Sequence, residues 1–541
     1  MKNASKAERQ RRAFKRSYYT CYFVVYILLL LTNWIFLVNP ANPLSVLLFI
    51  TMAFLFIGLA YNIVDMLCYY IVSPDRLPSM DPNRTLPNRR VALLYCTFND
   101  LDESCLRLSG NQDYPASVFV LDDSTDPRVR ATVDAISSDC GFSVIRRPAR
   151  IGYKAGALNN WMRMHGAGFD YMVILDSDSQ LPSDFVRNAL RHAEHPENSD
   201  VSIFQGKVEI SNRDTAFTRL LSLSPRLWYP SYEKLANRLD WMMCWGHNVM
   251  LRVAHVRQLG GWDPNQVSED FALALNLRRQ GRRAVLLPVL TFEKCPPDFT
   301  AYTSRACRWA KGTLRCFSFL LTPKIPLSTR FMLFITGWCT LAFFGYLASM
   351  LLMVFGFPSS IEAFARMMAD PSSRLAWLSA NPAAAMLVLF YFTFLIFGRV
   401  SIALRAKIRV GEYLRQVCLG MSVNMCLMLP LVYHQLIAMT GRKFQFKVTP
   451  KTRSSGGLGA FRNDNAGHFC LTAFLLAGAL LYNPMALIYN AFWLGMMVLA
   501  PFFIWRWQAV PVMESRPKVT PIPGCGRPNR LLLPLIAVPR R

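Results

Sequence analysis

Tyr171-Met172-Val173-Ile174-Leu175-Asp176-Ser177-Asp178 is the stretch on which the reading of this chain turns. Five apolar residues run straight into two carboxylates separated by one serine. A short unbroken apolar run that ends in a polar turn reads as a strand buried on both faces. Two carboxylates at that spacing in a strand-end turn can face one ligand, and their hard oxygens suit Mg²⁺ or Mn²⁺. A lone Asp-x-Asp is common in loops, so its surroundings decide.

Working outward, Val91–Thr97 and Ser117–Leu121 are apolar runs of the same kind, and the second ends in Asp122-Asp123-Ser124. A helical pattern, Tyr153–His165, lies between Asp123 and Tyr171. The alternation of strand and helix predicts an α/β domain with a parallel sheet, whose ligands bind outside the carboxyl ends of the strands. Both acidic turns fall there.

This polar domain is walled in by apolar segments. The chain has 541 residues, 52% of them hydrophobic, and a mean hydropathy of +0.21, which excludes one compact soluble domain. Its formal charge of +26 sits beside the apolar runs, in 2–16, 399–415, 442–453 and 506–518. That placement favours positive-inside topology over a nucleic-acid groove, and no nucleic-acid partner is expected. The fourteen cysteines are scattered without paired ligand spacing and read as reduced thiols.

The pattern predicts a basic cytosolic N-terminus at 1–17 and a first transmembrane hairpin at 18–72, with Tyr18–Val38 an uncleaved signal anchor. A cytosolic domain follows at 73–329, then a second hairpin at 330–404. The run Gln416–Met439 is long enough to span. It holds Asn424, Pro430, His434 and Gln435 between basic flanks, however, and the charge rule puts it at the cytosolic interface, within 405–467. A third hairpin at 468–507 and a basic tail at 508–541 complete about six spans. The lipid bilayer, the inner membrane of a bacterium, is therefore an expected partner.

Within the domain, Asp176 and Asp178 are the candidate metal ligands. Asp270, in Ser268-Glu269-Asp270, is a candidate general base for an acceptor hydroxyl; the same residues also read as the capped N-terminus of a helix over 271–280. Arg305, Arg308 and Trp309 can neutralise a diphosphate and pack on a pyranose, or can form a basic amphipathic helix at the membrane surface continued by Lys311 and Arg315. Spacing alone does not separate these readings.

Taken in order, these motifs resemble the membrane-integrated family 2 glycosyltransferases of the cellulose and curdlan synthase type, from about Val91 to Lys451. The resemblance implies a GT-A-like cytosolic α/β domain inserted between helical transmembrane hairpins. Thr97-Phe98-Asn99-Asp100 is similar to the motif that meets the uracil, and Asp122 and Asp123 to aspartates that hold the nucleoside. Lys154-Ala155-Gly156 is similar to a segment lining the donor site. The resemblance favours Asp270 as the base and makes Arg308-Trp309 the end of the glutamine-x-x-arginine-tryptophan motif. Phe446–Lys451 looks like a gating loop whose Thr449 and Lys451 reach the diphosphate. Two features depart from that type: Arg305 stands where glutamine is usual, and Trp245-Gly246-His247-Asn248 replaces the usual acceptor motif. With Pro296-Pro297, these look more like the glucosyltransferases of osmoregulated periplasmic glucans.

The resemblance thus implies a processive, inverting enzyme that polymerises a β-glucan from a UDP-sugar, most simply UDP-glucose, with Mg²⁺ or Mn²⁺. It would pass the growing polysaccharide outward, with envelope export proteins as candidate partners. Three alternatives stay open: a non-processive transfer to a lipid acceptor, a synthase of another β-linked polymer containing N-acetylglucosamine, and a transporter whose domain only senses nucleotide.

Overall fold

The computed structural model describes residues 6–38, 43–356, 369–370, 372, 399–440 and 458–511. Seven strands form one sheet: β1 (Val91–Thr97), β2 (Ala116–Asp122), β3 (Ser143–Ile145), β4 (Tyr171–Leu175), β5 (Val201–Ile210), β6 (Val249–Arg252) and β7 (Arg283–Glu293), in the order β3-β2-β1-β4-β6-β5-β7. The apolar runs form its centre because helices cover both faces. Ala92, Leu94, Met172 and Ile174 enter one core, and Val91, Leu93, Tyr95, Val173 and Leu175 the other. A strand buried on both sides has no polar face to alternate with, which accounts for the unbroken runs.

The sheet is mixed, not parallel as the alternation predicted. β6 runs antiparallel to both β4 and β5, with Ile174 opposite Val249 and Gln205 opposite Val249. Reversal has a functional consequence. The residues just before β6, Trp245 to Asn248, are delivered to the carboxyl end of β4, where the sequence placed the metal motif. β5 and β7 extend past β6 as a parallel pair that closes with Ile210 opposite Glu293.

Four helices among the described residues are long and apolar enough to cross a membrane, by length and composition: Glu8–Ile35, Pro43–Ile71, Leu327–Phe355 and Val410–Met439. The last contains the run that the charge rule assigned to the interface. It begins at Val410, extends over 30 residues and carries Pro430 within it. Ala466–Leu481 is a shorter apolar helix, and the last apolar segment divides into Ala486–Tyr489 and Ala491–Ala509. Most of the expected span Ala383–Leu404, the 446–451 loop with Thr449 and Lys451, and the tail beyond 511 lie outside the described residues. Every described cysteine is free.

The domain is keyed to the first hairpin through Trp241, which is fully buried. Its ring meets Tyr18 edge-on at 5.0 Å and lies along Phe331 at 6.0 Å, and its Nε1 donates to the Tyr19 hydroxyl at 3.2 Å. Asp240 beside it pairs with Lys15 of the first helix, with 14% of its side chain exposed.

Candidate active site

The carboxyl end of β1 leads into Thr97–Asp100, where the Asp100 carboxylate closes a turn. It accepts from the Phe98 N–H at 2.8 Å and the Thr97 hydroxyl at 3.1 Å, and its other oxygen accepts from the Ser177 hydroxyl at 2.6 Å. Asp100 thereby ties the expected uracil motif to the expected metal motif. Asn99 adopts φ 55 and accepts from the N–H groups of Thr125 and Asp126, both at 2.9 Å, which joins this turn to the end of β2.

The two aspartates after β2 hold arginines. Asp122 is buried, accepts from the Ser124 N–H at 2.9 Å and takes the Arg146 Nε at 2.7 Å. Asp123 is gripped by Arg147, whose Nε lies at 2.9 Å and whose Nη2 also donates to the Tyr153 carbonyl at 2.9 Å. Arg150 stands 3.8 Å from Asp123 with its guanidinium 3.5 Å from the Phe98 ring centroid. At that distance the Arg150 cation rests in contact with the aromatic face, beside the Asp123 carboxylate. Sequence reasoning missed all three arginines, because they lie in an irregular segment without motif spacing.

After β4, Asp176 and Asp178 occupy the expected turn. The Asp176 side chain is 38% exposed and Asp178 is buried. Lys154, on the helix Tyr153–Met164, pairs with Asp176 and donates to the Gly246 carbonyl at 2.8 Å. Burial works against its charge, but Asp176, Cys96 and Glu269 outweigh it and hold the ammonium protonated far above the ordinary lysine range. Among the described residues no group of three or more His, Cys, Asp or Glu side chains could hold a metal ion. The pair at 176 and 178 still fits Mg²⁺ or Mn²⁺, which take one or two carboxylates and complete their shell with phosphate oxygens and water.

Gly246 adopts φ 81 and runs directly over the candidate base: a Cβ there would lie 2.4 Å from Asp270 Oδ2. Asp270 belongs to the first turn of the helix Glu269–Arg279 and accepts from the Phe271 N–H at 2.7 Å. Ser268 occupies the N-cap position, yet its side chain makes no capping hydrogen bond, contrary to the capping expectation. Its hydroxyl packs instead against Gly312, where a Cβ would come within 1.9 Å of Ser268 Oγ. Close approach of the helix Phe299–Arg315 takes the place of the cap.

Burial raises the pKa of Asp270, with Lys154, the Phe271 N–H and His247 pulling it back. Neighbouring Glu269 is pushed to about 7, by burial first and by Asp270 second. Two half-buried, desolvated carboxylates in sequence cannot both ionise cheaply. Glu269 was read only as part of a helix start; its burial was not visible in sequence.

His247 lies between the two halves of the site. Its Nδ1 faces the Trp245 carbonyl at 3.0 Å and Asp176 at 3.8 Å, and its Nε2 stands 2.9 Å from Glu293 Oε2. Burial disfavours its charge, but Glu293 and Asp176 prevail and raise its pKa to about 9. Arg305 approaches the other Glu293 oxygen at 3.7 Å and lies over Trp309 at 4.7 Å. Trp309 is 53% exposed. Arg308 is half-buried, and its desolvation lowers its pKa, while Asp176 and Glu269 oppose that shift. Trp245 abuts an aromatic group of Trp228, Tyr229 and Tyr232, with centroids 6.2, 6.2 and 6.4 Å away.

The structure thus brings Asp100, Lys154, Asp176, Asp178, Gly246, His247, Asp270 and Arg308 to one end of the sheet, with Trp245, Arg305 and Trp309 on its rim. Asp122 and Asp123 lie beside it, engaged by arginines.

Comparison with known proteins adds relatives to this geometry. The chain is 29% identical over 298 residues to the glucans biosynthesis glucosyltransferase H of Rhodopseudomonas palustris (strain BisA53), covering 49% of this chain and 41% of the relative. It is 24% identical over 449 residues to the same-named protein of Shewanella sp. (strain W3-18-1), covering 73% and 59%. The chain spans about two fifths of the length of the first of these relatives. Among solved structures, the mannosyltransferase PcManGT from Pyrobaculum calidifontis in complex with GDP-Man and Mn²⁺ aligns with a TM-score of 0.49 and 18% identity, over 74% of this chain and 99% of that one. Residues 171–398, which include Asp176, the Gly246 turn, Asp270 and the Arg305–Trp309 helix, match the Glycosyl transferase family group 2 model, and it is to these glycosyl transferases that this part of the chain is similar.

Proposed function

We propose that the chain is a membrane-embedded, inverting glycosyltransferase that builds a β-glucan from UDP-glucose at a cytosolic GT-A-like domain. The observation that carries this reading is the meeting of Asp176, Lys154, Gly246 and Asp270 at one strand end. The family match over 171–398 and the glucan glucosyltransferase relatives support it.

Uracil would meet the Thr97–Asp100 turn, displacing Arg150 from the Phe98 face it now covers, and Asp176 and Asp178 would hold Mg²⁺ or Mn²⁺. When bound, that cation neutralises the diphosphate and makes it a better leaving group. Lys154 and Arg308 add positive charge along the same wall. Asp270, beneath Gly246, takes the proton from the acceptor hydroxyl as it attacks the anomeric carbon. Trp309 and Trp245 offer faces for the acceptor sugar. Processive growth and outward passage through the chain's own helices, about six in number and in a bacterial inner membrane, belong to the same proposal, with Thr449 and Lys451 closing over the donor.

The test is purification in detergent and incubation with UDP-glucose, UDP-N-acetylglucosamine and UDP-glucuronate in turn, with Mg²⁺ or Mn²⁺. Expected are UDP release from UDP-glucose, a long product cut by linkage-specific glucanases, and loss of both in Asp178→Asn and Asp270→Asn. A product of one sugar on lipid would replace processive synthesis by lipid glycosylation. Absence of UDP release from all three donors would sink the enzyme reading.

A further inference from the structure

Glu293 ends β7 and belongs to no motif that the sequence singles out. Its backbone is pinned: its carbonyl accepts from the Ser211 N–H at 2.8 Å and the Ser211 hydroxyl at 3.0 Å, where β5 and β7 close together. The residue before it is pinned as well. The Phe292 carbonyl accepts from the Gln180 N–H at 2.8 Å and from Asn248 Nδ2 at 3.1 Å, so this strand end is stitched both to the loop after Asp178 and to the turn that carries His247. From that fixed point the carboxylate divides. Oε2 stands 2.9 Å from His247 Nε2, and Oε1 stands 3.7 Å from Arg305 Nη1.

Each partner leads to a different half of the site. The other nitrogen of His247 faces Asp176 and the Trp245 carbonyl on the donor side. Arg305 stacks its guanidinium between Trp309, at 4.7 Å, and Tyr302, at 5.6 Å, on the acceptor side. All three members of the chain are mostly buried, with side chains 13%, 21% and 14% exposed for His247, Glu293 and Arg305. A carboxylate held at that depth between an imidazole and a guanidinium orders both more strongly than a surface contact would. One face of the Trp309 indole is thereby occupied by Arg305, and the ring, half exposed, presents its remainder outward.

We propose that Glu293 is a positioning residue that sets the acceptor helix against the donor turn, and that Arg305 acts through it as a brace for the Trp309 ring rather than as a diphosphate ligand. The inference rests on the glycosyltransferase reading above. It deepens that reading by naming what holds the acceptor sugar's platform in register with Asp176 and Asp270. An arginine at position 305 has a reason here: a charged partner, Glu293, waits within reach, and its planar group covers an indole face as a glutamine amide would not.

The experiment uses the full chain in detergent with UDP-glucose and Mn²⁺, comparing the wild type with Glu293→Gln, Arg305→Gln and the double variant. UDP binding is measured by calorimetry, UDP release gives kcat and the KM for UDP-glucose, and product length is read by mass spectrometry. Expected is UDP affinity and KM for UDP-glucose within about twofold of wild type in both single variants, with kcat about tenfold lower and shorter products. The double variant should be no worse than the poorer single one, because the two residues act through one contact. Weakened UDP binding in Arg305→Gln would overturn the brace and restore the diphosphate role. Unchanged kcat and product length in Glu293→Gln, or losses that multiply in the double variant, would overturn the positioning role. A wild type that releases no UDP defeats the glycosyltransferase reading itself, an outcome distinct from active wild type with indifferent variants.

Discussion

Gly246 and Asp270 come from turns 24 residues apart in sequence, and they meet so closely that a single methyl group on Gly246 would stand 2.4 Å from the Asp270 carboxylate. The backbone of Gly246 also accepts from Lys154 and adopts φ 81, so it forms a lid over the candidate base that no side chain could share. Gly246→Ala must both strain the backbone, at about 1–2 kcal/mol for a left-handed residue, and displace the carboxylate. Because a shift of about 1 Å at a reacting group can cost ~100-fold, UDP release should fall by that order while calorimetric UDP binding persists.

The ionisation of the half-buried pair Glu269 and Asp270 should set an acid limit on activity. A general base works as the anion, and burial raises the pKa of Asp270, so activity should rise with pH through a midpoint above the ordinary aspartate range. Glu269, pushed to about 7, shares that titration. In Glu269→Gln the acid limb of kcat/KM should move to lower pH, since one source of like charge is gone. Lys154 pulls the pKa of Asp270 down, so in Lys154→Met the limb should move to higher pH. Rate profiles of UDP release between pH 5 and 8 check both directions. Opposite movement would show that the rate is governed elsewhere.

Gly312 lies on the helix of Arg305 and Trp309, where a Cβ would come within 1.9 Å of Ser268 Oγ. Gly312→Ala therefore pushes the helix Phe299–Arg315 from the turn that carries Asp270, although alanine is the better helix former by about 1 kcal/mol. Expected is a fall in kcat of at least tenfold without loss of UDP binding. Ser268→Ala or Ser268→Gly in the same chain should relieve part of the defect by removing the hydroxyl, and the double variant's kcat measures that relief.

Trp241 joins the catalytic domain to the first hairpin and to the helix Leu327–Phe355 through Tyr18, Tyr19 and Phe331. Removing so large a buried ring costs about 3–5 kcal/mol. Trp241→Ala should lower the unfolding midpoint of the detergent-solubilised protein by several degrees and release the domain to protease at 73–90, with Trp241→Phe retaining most of the midpoint.

The strands were legible because a strand covered on both faces writes itself as an unbroken apolar run, and β1, β2 and β4 fall within two residues of the runs that predicted them. β6 was not. Four residues, Val249–Arg252, carry no period, and their direction depends on which neighbours they pair with. The helix Val410–Met439 marks a similar limit: its length and hydropathy admit a span while its basic flanks argue for the interface, and composition weighs the two without deciding.

What the residues by themselves determined is the chemistry that is local: the strand that delivers Asp176 and Asp178, the acidic first turn of a helix at Asp270, and the apolar segments around the domain. These are written in contiguous stretches, since a strand end or a helix start is made by neighbours in sequence. Only the tertiary structure decided the rest. The antiparallel insertion of β6 brings Gly246 and His247 to the end of β4. Burial of Glu269 and Asp270 together raises both. Glu293, at the end of an edge strand, reaches His247 with one oxygen and Arg305 with the other. Ionic contacts and desolvation of this kind depend on distances across the fold, and no local pattern encodes a distance between residues 46 and 12 positions apart in the chain.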